Sequence, residues 1–486
     1  MNVALESFAR STFGCPFSTA EYASGRHRPD SFRGDPMSPA AIVHNSIFRT
    51  RRFWNWFPMG LTYAFLYMGR YNLTVSKNAL GDLMTKSDFG DIFGVGAFVY
   101  ALSFLFNGPL VDRIGGKRGI LIGAGGAALA NLLMGLYLRY ILSLPDPSAE
   151  PLRHVFMGLY AMNMYFQSYG AVSIVKVNAN WFHVTERGAF SGIFGIMISS
   201  GIFFAFDGSR FILESGLVAG QGFAGGDALW WVFLSPAFLL FTFFAIEIFL
   251  LKDRPALAGL QDFDTADASS GEDLNRRIPA LELYKRILTH PVIITLAGIE
   301  FCTGVLRNGV LHWFPIYANE QMAAGTTSGW EFFYSHWGFL QMIAGIIGGN
   351  VAGFFSDKLF QSRRAPSAGF LYLTLTICAA LMIVSLNSGW ALGALTFLIS
   401  VAVFGTHGLL SGTATMDFGG RKGAATAVGV IDGFVYLGTT LQSVALGRIT
   451  SWNWSYWPVF LVPFGVIGFL LLLRIWNAKP KAAGGH

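Results

Sequence analysis

Charge is what this sequence has least of. Only 13% of its 486 residues are Asp, Glu, Lys or Arg, about half the 25% share of a soluble domain. That excludes a water-exposed globule for most of the chain. Cysteine is also scarce. Cys15, Cys302 and Cys378 are the three, too far apart for a disulfide framework or a CxxC metal spacing. The chain carries no nucleophile–base pair, no metal-ligand cluster and no Gly-rich phosphate loop. An enzyme is therefore not expected, nor is a cofactor or a metal. His183, in Trp-Phe-His-Val-Thr-Glu, gives an HxxE spacing too short for a metal helix. The acidic run DFDTADASSGED lacks calcium-loop spacing and reads as linker.

What is present is apolar. Hydrophobic residues make up 53% of the chain, with 46 Phe and 58 Gly, and the mean hydropathy is +0.48. Glycine at this level suits helices that pack closely in a bilayer. A span needs about 20 mostly apolar residues. Twelve such runs lie near 53–76, 89–111, 119–142, 152–177, 189–207, 229–251, 290–318, 333–355, 367–387, 390–415, 424–446 and 455–475. The expected fold is an all-α membrane protein of twelve transmembrane helices in two six-helix halves. Residues 1–50 read as a disordered cytoplasmic segment and 51–251 as the first bundle. A cytoplasmic linker follows at 252–289, the second bundle at 290–476 and a tail at 477–486. No signal-peptide pattern precedes the first run.

The net charge is +6, and its cations fall in loops between runs. They mark topology, not a nucleic-acid surface. Arg113, Lys117, Arg118, Arg187, the 252–286 segment, Lys358, Arg421 and Lys479 all lie on one side. The positive-inside rule then puts both termini in the cytoplasm. The halves repeat one another. Asp112-Arg113 and Asp357-Lys358 are 245 residues apart (357 − 112), Arg187-Gly188 and Lys422-Gly423 are 235 apart (422 − 187), and Arg70 and Arg307 are 237 apart (307 − 70). Parallel duplicated bundles bind substrate between their halves near the midplane.

Arg70 and Arg307 are the informative pair. Each falls about 25 Å along its run, deep in hydrocarbon, where an Arg costs at least ~2.5–3.5 kcal/mol. A planar guanidinium fork suits phosphate or carboxylate, and one from each half would grip a single small anion. The alternative is an Arg paired with a buried acid, for which Glu300 and Asp432 are candidates. Tyr63 and Tyr67 share a helical face with Arg70. Tyr100, His407 and Tyr436 lie mid-run elsewhere, and each phenol needs a polar partner or a ligand.

Gly108–Arg118, GPLVDRIGGKR, resembles the loop motif of the major facilitator superfamily, which implies a tethering role at the cytoplasmic gate for Asp112, Arg113, Lys117 and Arg118, with Asp357 as the repeat. Tyr63-x-x-x-Tyr67-x-x-Arg70-Tyr-Asn72 and Leu306-Arg307-Asn-Gly-x-x-His312-Trp-x-Pro315-x-Tyr317 are similar to the first and seventh helices of the organophosphate:phosphate antiporters. The resemblance covers most of 51–475. It implies a monomeric carrier in the bacterial inner membrane. The two arginines would bind the phosphoryl group of a glycerol-phosphate, hexose-phosphate or phosphoglycerate type of substrate, tyrosines would line the site, and inorganic phosphate would be the counter-substrate. The family's fifth-helix histidine falls on Ile198 and a second-helix lysine on Phe104, while His407 replaces a site tyrosine. Two other functions stay open. One is a proton-coupled sugar-acid symporter, in which Asp432, Glu300 or His407 carries the proton; such carriers often place an Asp where Gly69 stands. The other is a membrane sensor of organophosphate.

Overall fold

The computed structural model describes residues 45–183, 195–214, 229–263, 280–326, 328–360 and 364–478. The side chains of Asp112, Asp357 and residues 412–428 lie outside the description, as do Glu186–Gly188 and most of the expected N-terminal segment, linker and tail. From Ser46 onward the chain is one compact unit, with no strand among the described residues.

Over their described residues, all twelve apolar runs fall on helices. These are α1 (Ser46–Leu80), α2 (Lys86–Ile114), α3 (Gly116–Leu142), α4 (Ala149–Trp181), α5 (Gly195–Glu214) and α6 (Trp231–Leu250). Then come α7 (Pro291–Ala323), α8 (Trp337–Phe354), α9 (Arg364–Ser385), α10 (Gly389–His407), α11 (Thr415–Trp452) and α12 (Tyr456–Arg474). Nine of the described helices are long and apolar enough to cross a membrane, and the three that fall short are α1, α4 and α11. Their length is ample, at 35, 33 and 38 residues. They fall short in hydropathy because they carry the buried polar residues described below.

Local chemistry sets the helix ends. Thr85 and Asp88 form a reciprocal capping box at the start of α2, which satisfies orphan backbone donors. Gly115, at φ 92°, ends α2 and opens α3, a conformation that favours glycine. The first turn of α3 is closed by Asp253, whose Oδ1 accepts from Lys117 N at 2.7 Å. Lys117 Nζ donates to the Ile248 carbonyl at the end of α6. The Gly-Gly-Lys motif thus ties α3 to α6, while Arg113 and Arg118 are exposed.

Helix α7 breaks at His312. Pro315 has no N–H for the carbonyl four residues earlier. That carbonyl, on Leu311, accepts instead from the Trp337 indole at 2.9 Å, and Gly309 O accepts from Trp457 at 2.7 Å. Two indoles therefore supply the donors that the interrupted helix lacks, just past Arg307.

Among the described residues, the main contacts between α1–α6 and α7–α12 are α2 with α11, α5 with α8, and α1 with α7. The end where α1 hands over to α2 is closed by polar contacts across them. Lys86 meets Glu320 at 3.1 Å and Arg448 meets Asp91 at 3.0 Å. Asp207 accepts from the amides of Gly338 and Phe339. Thr74 bonds His312 at 2.7 Å, and Asn78 donates to the Pro315 carbonyl.

Within α7–α12, α7 and α11 cross through glycine. A Cβ on Gly304 would fall inside the carbonyl of Val435, and one on Gly438 inside that of Phe301. Gly304→Ala is therefore expected to lower stability by about 1–3 kcal/mol, the usual cost of overpacking. Gly349→Ala, where a Cβ meets nothing within 4 Å, leaves it unchanged or slightly higher. Thermal unfolding in detergent checks both.

Candidate functional site

Arg70 sits at the centre of the bundle, fully buried. All three of its nitrogens donate. Nε reaches Gln167 Oε1 at 2.8 Å, Nη1 the Tyr436 hydroxyl at 2.6 Å and Nη2 the Tyr100 hydroxyl at 3.0 Å. The guanidinium carbon lies 4.5 Å from the Tyr67 ring centre and 4.6 Å from that of Tyr100, within cation–π range. These groups are all neutral. They solvate the charge without cancelling it.

The backbone around Arg70 is pinned by α4. Tyr160 donates to its carbonyl at 2.9 Å, and Asn163 donates to that of Gly69 at 2.8 Å. Asn163 Oδ1 in turn accepts from Gln167 and Asn131, and Asn131 accepts from Asn72. This amide chain through α1, α3 and α4 fixes the Gln167 carbonyl toward Arg70. It also fills the space beside Gly69, where a Cβ would stand 2.8 Å from Asn131 Nδ2. An Asp at that position has no room while Asn131 is in place.

Arg307 approaches from α7. It is 8% exposed, and its Nε and Nη2 are buried with no hydrogen-bond partner. Unpaired buried donors are costly, and on a charged fork they mark a place for an acceptor. Tyr436 of α11 lies between the two arginines: each guanidinium carbon is 5.8 Å from its ring centre. Tyr436 packs against Tyr100 at 4.3 Å, and Tyr100 against Phe104 at 4.6 Å. Tyr63 and Tyr67 stand edge to face at 5.3 Å on α1. The structure thus gathers Arg70, Arg307, Tyr67, Tyr100 and Tyr436 at one level of the bundle, with Tyr63 two turns along α1.

The two acids have other partners than the arginines. Glu300 Oε2 meets His407 Nδ1 at 2.9 Å, and Asp432 Oδ1 accepts from Ser411 at 2.5 Å. Neither carboxylate is paired with Arg70 or Arg307 among the described residues. The arginine charges are therefore open to a mobile anion.

The sequence motifs include Asn72 and His312 but assign them no role at the site, and Gln167, Asn163, Asn131 and Tyr160 were given none either. The signal of the four amides is visible in retrospect as polar residues inside apolar runs. His312 is buried against Tyr71 and Phe93, with ring centres 4.9 and 4.4 Å away, and it bonds Thr74 from the other half of the chain.

Gln167→Leu keeps the volume but removes the acceptor of Arg70 Nε. We expect a loss of about 1–3 kcal/mol, the penalty for an orphaned buried donor. Gln167→Glu restores an acceptor and is expected to retain stability. Thermal unfolding of the three proteins separates these outcomes.

Comparison with known proteins agrees with this architecture. Residues 59–443 match the Major Facilitator Superfamily. A "Probable hexose phosphate transport protein" of Chlamydia pneumoniae is 25% identical, over 87% of this chain and 91% of the relative. The "Membrane sensor protein UhpC" of Escherichia coli is 25% identical over 87% and 92%. The "Glycerol-3-phosphate transporter" of Bacillus subtilis is 25% identical over 86% and 91%. Among solved structures, a bacterial homolog of the human lysosomal transporter Spinster, in an inward-facing and unoccupied conformation, superposes with a TM-score of 0.64. It is 14% identical, over 91% of this chain and 100% of that one, which speaks to fold alone. The matched span and the helical bundle together make this chain a member of the Major Facilitator Superfamily, a multi-pass membrane transporter family and not an enzyme.

Proposed function

We propose that the protein is a secondary transporter that exchanges a small organic phosphate for inorganic phosphate. The observation that carries this reading is the pair of buried guanidinium groups, one from each set of six helices. Each nitrogen of Arg70 donates to a neutral group, whereas two nitrogens of Arg307 have no partner. A phosphoryl group has the charge and the oxygens to fill both. The relatives named for hexose phosphate and glycerol 3-phosphate support the same substrate class.

In this mechanism the anion first meets Arg307, whose fork is open. It then competes with Tyr436 for Arg70 Nη1, because that phenol is the neutral acceptor closest to both arginines. Binding draws α1 and α7 onto one ligand, and the two six-helix bodies rock around it. A carrier with two uncancelled positive charges at its centre returns poorly when empty. That electrostatic cost makes obligate exchange, with inorganic phosphate as the returning ligand, the natural cycle.

We place both termini in the cytoplasm of a cell whose inner membrane holds the protein, from the loop cations. The end closed by Lys86–Glu320 and Arg448–Asp91 is then the outer one, and these ion pairs would open during each cycle. Proton-coupled sugar-acid symport is less well supported, since Gly69 has no space for the carboxylate such carriers often use. A sensing role has one observation in its favour, the similarity to a membrane sensor protein.

The test is uptake of labelled phosphate into liposomes preloaded with phosphate. Exchange is expected, and Arg70→Lys and Arg307→Lys should each lower it by at least about ten-fold, as a point charge cannot replace the planar fork. Folded protein that binds organophosphate yet moves no phosphate would favour the sensor. Uptake driven by a pH gradient alone would favour the symporter.

A further inference from the structure

The arginine level is one end of a longer arrangement. Glu300 lies seven residues before Arg307 on α7. Seven residues are close to two turns, so the two side chains share a face about 10 Å apart along the axis. Tyr63 holds the same offset before Arg70 on α1. On α11, Asp432 is one turn before Tyr436. Around the centre of the bundle, α1, α7 and α11 therefore turn from guanidinium and phenol to carboxylate and phenol over one to two turns.

Glu300 is fully buried. One oxygen is held by His407 Nδ1 at 2.9 Å, and the other, Oε1, has no partner. The His407 side chain keeps 26% exposure, so the pair opens toward space on the imidazole side. Nδ1 faces the carboxylate, which leaves Nε2 as the ring's other polar atom. The pair is thus incomplete by at least one donor, at Glu300 Oε1.

We propose that Glu300 and His407 form a second pole of the binding site that recognises the hydroxyl end of a polyol phosphate and discriminates against phosphorylated carboxylic acids. This rests on the reading of the arginines as the phosphoryl site. A polyol held by its phosphate at Arg70 and Arg307 brings hydroxyl donors toward Glu300 Oε1 and His407 Nε2. A carboxylate end brings only acceptors and a like charge, to a place where the Glu300 carboxylate already stands. Inorganic phosphate is too short to reach the pole and senses the arginines alone.

The experiment measures affinity for glycerol 3-phosphate, glucose 6-phosphate and 3-phosphoglycerate by tryptophan fluorescence on protein in nanodiscs. The unaltered protein is expected to favour one or both polyol phosphates over the acid. Glu300→Gln should shift that ratio toward 3-phosphoglycerate by about ten-fold, which corresponds to about 1.4 kcal/mol. Glu300→Asp, keeping the charge, should shift it less, and it guards against a variant that merely misfolds. An unchanged ratio in folded Glu300→Gln, or an unaltered protein that prefers the phosphorylated acid, overturns the second pole. A shifted ratio in a protein that exchanges no phosphate keeps the pole and removes only the antiport reading. Failure of all three ligands to bind removes both.

Discussion

A guanidinium placed in the middle of a membrane must be surrounded by acceptors, and the bundle is organised around that requirement. Arg70 gets three, one each from α2, α4 and α11. Each is a phenol or an amide, so the positive charge is stabilised and retained. The amide chain from Gln167 to Asn72 exists to aim one carbonyl. The tyrosines offer both a hydroxyl and a π face. Arg307 is left less complete, with Nε and Nη2 unpartnered, and that asymmetry is what the proposed anion would meet.

The same centre explains where the helices touch. Tyr436 reaches Arg70 from α11 only because α2 and α11 pack along one another. Their contact at the closed end runs through Gly90 and Gly94 against Ser443 and Val444. Glycine at such contacts lets backbones approach closely. Ion pairs at the closed end add polar closure that solvent can replace. Thr74–His312 lies deeper and joins the last turns of α1 to the break in α7. The break itself is held by the Trp337 and Trp457 indoles, which satisfy its carbonyls from outside the helix.

Much of this was legible in the residues. Helix positions followed from hydropathy because a bilayer demands long apolar runs, and the arginines stood out because charge there is rare. The 237-residue offset placed Arg70 and Arg307 in matching helices. The structure puts both at Tyr436. Partner choice was not legible. Glu300 and Asp432 were candidates for the arginines, yet the geometry gives them to His407 and Ser411, because two turns of helix separate Glu300 from Arg307. The amide chain was missed since single Asn and Gln residues in an apolar run carry no period; only the packing of α1, α3 and α4 aligns them. The gating aspartates Asp112 and Asp357 remain expectations, with their side chains outside the described part of the molecule.

The central claim is that Arg70 and Arg307 act on one anion. A double-substitution cycle on phosphate affinity tests it most directly, with Arg70→Lys, Arg307→Lys and the pair measured by calorimetry. If both arginines hold the same ligand, the losses are strongly non-additive, with a coupling above about 0.5 kcal/mol, and the double variant is little worse than either single one. Additive losses, or full affinity in either single variant, would mean that the two charges serve separate purposes and would contradict the account.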